Sequence, residues 1–303
     1  GNEYLDFLGG YGALDLGWSH PEVVEAVRAQ ALKSGIPSQE LMDPLRGVLA
    51  KLMADITPGD IDHAFFVASG TEAVEGALKI ARLHTGRHSF ISTVKAFHGK
   101  TSGSLSVMGK KDFRAPLQPY GAQIFFVPFG DVDALARQLE ICAAVGIEIA
   151  GFVAEPIQGE AGAIVPPDDY WPRVREICDQ FGILMICDEV QTGLGRTGAL
   201  WGVDHWNVKP DIMMAAKSLG GGVMPVGCFM GNGKIWKALE EPNPFMHTTT
   251  TGGNPMACAA AIATIQVTLR DNLPQRAAEL GDYFLAQLNQ LTEDFPGIYE
   301  KIT

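Results

Sequence analysis

Hydrophobic residues along this chain fall into short unbroken runs separated by stretches in which they recur every three or four positions. Unbroken runs of that length read as strands buried on both faces, and the longer period reads as helix. On this basis strands are predicted at 63–68, 89–93, 123–128, 150–154, 183–188, 211–215 and 226–231. Helices are predicted at 71–84, 131–144, 170–181, 233–240, 254–270 and 273–293. In the first of these, Ala73, Val74, Ala77, Leu78 and Ala81 share one face. Further upstream, helices are expected from Pro21 to Ser34 and around Glu40 to Leu52. Strands alternating with helices describe an α/β fold, a mostly parallel seven-stranded sheet with helices on both faces. No repeat, low-complexity tract or polar linker interrupts it.

In open sheets of this kind ligands bind beyond the carboxyl ends of the strands, so the residues that end each run come next. The run Asp211 to Ala216 ends on Lys217 and then Ser-Leu-Gly-Gly-Gly. An amine there either snorkels to water or is desolvated, and desolvation lowers its pKa and makes it a nucleophile able to form a Schiff base with an aldehyde. The run Ile183 to Cys187 leads directly into Asp188. A poorly solvated acid needs a cationic partner; the alternatives are that Asp188 caps its loop or pairs with Arg196. After the first strand, Ser69-Gly70-Thr71-Glu72 marks a turn into a helix N-terminus. Such a turn offers backbone N–H groups and the positive end of a helix dipole to a phosphate. Its Ser-x-x-Glu spacing is also that of a capping box, and both readings can hold together.

Composition narrows the setting. The 303 residues are 47% hydrophobic with a formal charge of −12, enough for one large core-forming domain and a smaller piece. The acidic balance argues against nucleic acid or an anionic membrane as partner. No apolar stretch reaches transmembrane length, and the start does not read as a signal peptide. The five cysteines form no C-x-x-C pair and read as reduced thiols, so a cytoplasmic location is expected. His84 and His88 have Gly86 between them and no glutamate after His84, so no metal site is expected. Gly193-Leu-Gly-Arg-Thr-Gly198 matches a dinucleotide-binding G-x-G-x-x-G, but five residues, two of them acidic, separate it from the strand. The residues after Gly198 carry glycine and aromatics rather than an amphipathic helix, and the dinucleotide reading is set aside.

A phosphate cradle, a buried acid and an amine at three strand ends suit pyridoxal 5′-phosphate. Six blocks in order resemble the class III aminotransferases of fold type I: Ser69–Glu75, Ala96–Lys100, Glu155–Glu160, Asp188–Gly198, Lys217–Gly222 and His247–Pro255. The resemblance spans nearly the whole chain and implies a fold-type-I large domain with an incomplete small domain. It partitions the chain into an N-terminal segment, 1–50, contributing to the small domain and interface, a cofactor-binding large domain, 51–272, and a connecting helix with the start of a C-terminal domain, 273–303. Both ends are expected to continue, since family members carry an N-terminal arm and a C-terminal domain.

By the same resemblance, Lys217 carries the cofactor covalently and later shuttles a proton, while Asp188 keeps the pyridine nitrogen protonated. Gln191 bonds the phenolic oxygen, Val190 packs on one ring face, and Phe97, followed by His98, stacks on the other. Gly70 and Thr71 hold the phosphate, Glu155 supports the site, and Thr250 reaches the phosphate of a neighbouring subunit. A homodimer or dimer of dimers with shared active sites is therefore expected. Thr251 departs from the aromatic residue usual in relatives. Glu160 is expected near the substrate, pairing in relatives with an arginine of the C-terminal domain. The implied reaction moves a terminal amino group from an amine donor to a 2-oxo acid acceptor, with a putrescine-like diamine and 2-oxoglutarate as the expected pair. Acetylornithine, ornithine and 4-aminobutyrate share every motif quoted, as do the aminomutases and a dialkylglycine decarboxylase of the family.

Overall fold

In a computed structural model that describes residues 1–37 and 40–295, seven strands are formed. They are β1 (His63–Val67), β2 (Ser89–Thr93), β3 (Ile124–Val127), β4 (Ile149–Ala154), β5 (Leu184–Asp188), β6 (Ile212–Ala215) and β7 (Gly227–Gly231). They make one sheet in the order β1-β7-β6-β5-β4-β2-β3. Strand β7 runs antiparallel to both of its neighbours, and the other pairings are parallel. Six strands therefore end at the same edge, and β7 begins there.

Side chains alternate across the sheet, and both faces are apolar. Ile186, Ile212, Met214 and Phe229 face the helix Gly70–Thr85, meeting Val74, Ala77 and Leu78. Met185, Cys187, Met213 and Cys228 face the other way, into a cluster with Trp171 and Val174 of the helix Tyr170–Phe181. All five cysteines are buried and free. The apolar run of each strand thus reflects two covered faces. Leu78 is completely buried, so Leu78→Ala should lower stability by about 2–5 kcal/mol. Urea unfolding monitored by circular dichroism checks this.

Helix boundaries follow capping chemistry. The helix expected from Glu40 instead runs Pro44–Ile56, because Asp43 caps it: its carboxylate accepts from Leu45 N at 3.0 Å and Arg46 N at 3.1 Å. The helix from Pro21 stops at Ala31 rather than Ser34. Two short helices, Ser102–Val107 and Lys111–Arg114, lie between β2 and β3; they are too brief to leave a periodic signature. Among the described residues no helix is long and apolar enough to cross a membrane.

Candidate active site

A cavity of about 600 Å³ opens at the edge where the six strands end. Each strand but β3 sends residues to its wall: Gly70 and Thr71 from the turn after β1, Phe97 and His98 from beyond β2, and Glu155 from the end of β4. Asp188, Val190 and Gln191 come from β5 and its loop, Lys217 from just past β6, and Val226 from the approach to β7. Nine of the residues singled out from sequence thus share one cavity, although up to 147 positions separate them (217 − 70).

A buried acid–imidazole pair lies in the cavity wall. Asp188 Oδ2 lies 2.7 Å from His98 Nδ1, with side-chain exposures of 4% and 0%, and Asp188 Oδ1 accepts from Val190 N at 3.0 Å. The alternative partner, Arg196, is bound instead to Asp15. Burial works against a charge on His98, but the bond and charge of Asp188 outweigh it and hold the imidazole above its ordinary pKa. His98 Nε2 is buried without a hydrogen-bond partner among the described residues. Glu155 has its carboxyl pKa raised by burial. It accepts from Phe97 N at 2.9 Å and from Gly159 N at 3.1 Å, and so fixes the backbone that carries Phe97 and His98. The Phe97 ring meets Phe113 edge-on, with centroids 6.2 Å apart.

Lys217 has a left-handed backbone, φ 45°, which turns its side chain from the strand into the cavity wall. Burial lowers the pKa of its amine, partly countered by the charges of Asp188, Glu155 and Glu160. An amine so placed is readier to lose its proton and act as a nucleophile.

The opposite end of the cavity is the N-terminus of the helix Gly70–Thr85. Ser69 caps it, its Oγ accepting from Glu72 N at 3.4 Å, while Glu72 reaches back to Ala68 N at 2.8 Å. Capping and anion-binding geometry coexist, since the first-turn N–H groups have no intrahelical acceptor. Gly70 is required by close packing: a Cβ there would lie 2.9 Å from Val190 Cγ1. The Thr71 hydroxyl is already engaged by Thr101 and Ser104, each at 2.8 Å.

These residues suit pyridoxal 5′-phosphate. A helix N-terminus for the phosphate, an acid beside a histidine whose Nε2 lacks a partner, and a desolvated amine bound one cavity of adequate size.

Two residues singled out from sequence lie outside this wall. Thr250 is exposed. Glu160 meets Lys110: Lys110 Nζ donates to the Glu160 carbonyl oxygen at 2.7 Å and to Oε2 at 3.4 Å. The block that carries Thr250 begins at His247, whose ring stands edge-on to Phe65 and Phe229, at 4.5 and 5.1 Å. Burial, with the charge of Lys79, lowers its pKa from 6.5 to about 4. Between those values the unfolded chain takes up a proton that the fold refuses, so stability falls as pH drops through this window. His247→Gln should flatten that part of the profile, as melting temperatures between pH 7 and 4 would reveal.

Sequence reasoning overlooked one wall. Gly10, Ala13, Leu14 and Trp18 line the cavity, from a segment with neither strand nor helix periodicity. Its glycines and its Gly-Trp-Ser-His-Pro ending were the available signal.

The family description "Aminotransferase class-III" matches residues 1–300. A putrescine aminotransferase from Pectobacterium atrosepticum is 49% identical over 299 residues, 98% of this chain but 64% of that protein. This chain therefore spans only part of that relative's length. Ornithine aminotransferase from Toxoplasma gondii ME49 has a similar structure, with TM-score 0.91 at 34% identity, covering 99% of this chain and 71% of that one. An amine transaminase from an uncultivated Pseudomonas species, in its PLP-bound form, gives TM-score 0.89 at 35% identity, covering 96% and 72%.

Proposed function

Since this chain belongs to the class-III aminotransferases, we propose that it catalyses pyridoxal-phosphate-dependent transamination from a short terminal diamine of the putrescine type to 2-oxoglutarate. The observation that carries this reading is the desolvated Lys217 amine in one cavity with the His98-paired Asp188 and a free helix N-terminus. The likeness to a putrescine aminotransferase supports the diamine.

When bound, pyridoxal phosphate supplies a ring that draws electrons from the substrate carbon bearing nitrogen. Lys217 Nζ would take the proton from that carbon and hand it to the cofactor's carbonyl carbon. Asp188, braced by His98 and Val190 N, holds a proton on the ring nitrogen. Gln191 would orient the ring's oxygen, and Val190 and Phe97 would hold the ring between them. The first-turn N–H groups at Gly70 and Thr71 bind the phosphate. Glu155 keeps Phe97 in place through its backbone N–H.

Glu160, paired with Lys110, is proposed to attract the distal ammonium of a diamine, and Lys110 to balance it when a dicarboxylate enters. Lys110→Met should raise KM for 2-oxoglutarate about fivefold, the scale of one exposed charge pair, and leave KM for putrescine equal or lower. Half-reaction kinetics with each substrate measure this.

The working unit is proposed to be a cytoplasmic homodimer in which Thr250 completes the neighbour's phosphate site. Lys217→Ala and Thr250→Ala proteins, each impaired alone, should recover activity when mixed as heterodimers. No recovery after verified subunit exchange removes the shared site.

A screen of putrescine, cadaverine, ornithine, acetylornithine and 4-aminobutyrate tests the donor. A preference for one of the last three above about tenfold, roughly 1.4 kcal/mol in transition-state binding, overturns the diamine reading. Carbon dioxide release without keto-acid dependence overturns transamination itself.

A further inference from the structure

We propose that Asp15 is a positioning residue, which fastens the segment 9–18 across the cavity as a strap and neutralises the Arg196 guanidinium. The inference rests on the functional reading above for its spectroscopic arm alone.

Three distant segments meet at this carboxylate. Oδ2 accepts from the Ser218 hydroxyl at 2.5 Å, and Oδ1 is ion-paired with the Arg196 guanidinium. Ser218 is buried and directly succeeds Lys217, whose positive φ is unfavourable for a residue with a Cβ. Its hydroxyl also lies 3.5 Å from the Gly12 carbonyl oxygen. Leu14 fastens the strap a second time: a Cβ on Gly222, φ 71°, would lie 2.4 Å from Leu14 Cδ2. The strap thus grips both ends of the loop that begins at Lys217, and its inner side forms the cavity wall through Gly10, Ala13, Leu14 and Trp18.

Charge gives Asp15 its second effect. The charges acting on the Lys217 amine include the acids Asp188, Glu155 and Glu160 and the cation Arg196. Asp15 is the acid paired with that cation, and its side chain is 14% exposed against 40% for the guanidinium. Without it, Arg196 acts on Lys217 unopposed and disfavours a positive charge on the lysine nitrogen.

Four variants of the holoenzyme separate the two effects: Asp15→Asn, Ser218→Ala, Arg196→Gln and the Asp15→Asn/Arg196→Gln double. The readouts are limited proteolysis within 9–18 and the pH titration of the absorption band of the lysine-bound cofactor. Asp15→Asn should shift the titration to lower pH by about half a unit or more, speed cleavage of the strap, and raise KM for the donor more than it lowers kcat. Ser218→Ala should speed cleavage without moving the titration. Arg196→Gln should shift the titration upward, and the double variant should bring it back near the original value. Wild-type titration and wild-type cleavage in a folded Asp15→Asn protein overturn the proposal, as does a double variant that titrates like Asp15→Asn alone. Proteolysis reads the strap whether or not pyridoxal phosphate binds, so failure of the functional reading leaves that arm to decide.

Discussion

Lys217→Ala is expected to fold, to take up pyridoxal phosphate without a covalent bond, and to lose transamination almost entirely. Two functions leave with the amine: the covalent hold and the proton transfer, and the second alone is worth about 10²–10⁴-fold. No other lysine lines the cavity among the described residues. Lys100 and Lys110 are the nearby amines, with Nζ 5.8 and 6.0 Å from the centroid of Phe97, itself a wall residue. Borohydride reduction and peptide mapping should find the trapped cofactor on Lys217 in the wild type and nowhere in the variant. An adduct surviving on another lysine would remove Lys217 from this role. The wall lost is small, so the melting temperature of the cofactor-free protein should change little.

Asp188→Asn should keep the cofactor near its place and lose most of the rate. The carboxylate has two partners, His98 Nδ1 and Val190 N, and an amide matches both only poorly. Breaking one side of a buried pair costs about 3–5 kcal/mol, on the order of 10²–10⁴ in rate if it falls on the transition state. An amide cannot keep a proton on the ring nitrogen, so the loss should fall on proton abstraction. A large isotope effect with donor deuterated at the reacting carbon would locate it there. His98 should also titrate at lower pH in the variant, because the charge that offsets its burial is gone; ring-proton NMR tracks this. Near-normal turnover would sink the assignment.

Much of the sheet was legible because its strands are covered on both sides and so write unbroken apolar runs. The predicted strand bounds fall within a residue of the observed ones for that reason. Lys217 and Asp188 stood out as charges at the ends of such runs. His98 did not reveal its partner, because its bond to Asp188 crosses 90 positions of sequence and depends on β2 and β5 flanking β4. The partners of the Thr71 hydroxyl, Thr101 and Ser104, were equally hidden, since they lie about thirty positions on at the start of an unpredicted short helix. Asp15 was illegible altogether. A segment without periodicity is placed by tertiary contacts, and these leave no local trace.

The strand order has a consequence for how the molecule comes into being. β1 stands at the edge of the sheet, and its sheet partner is β7, with Val67 against Gly227. On a growing chain, β2 to β6 can pair among themselves, and the helix after β1 can rest on β5 and β6, while β1 itself still has no strand to pair with. Such widely separated pairings are slow to form. A nascent chain halted after β6 already holds the acid, the histidine and the lysine, but the phosphate end of the cavity is held only through its helix, because β1 before it is not yet paired. Cofactor retention is therefore a gauge of finished assembly: ribosome-stalled chains ending before Gly227 should hold pyridoxal phosphate more weakly than those that expose β7.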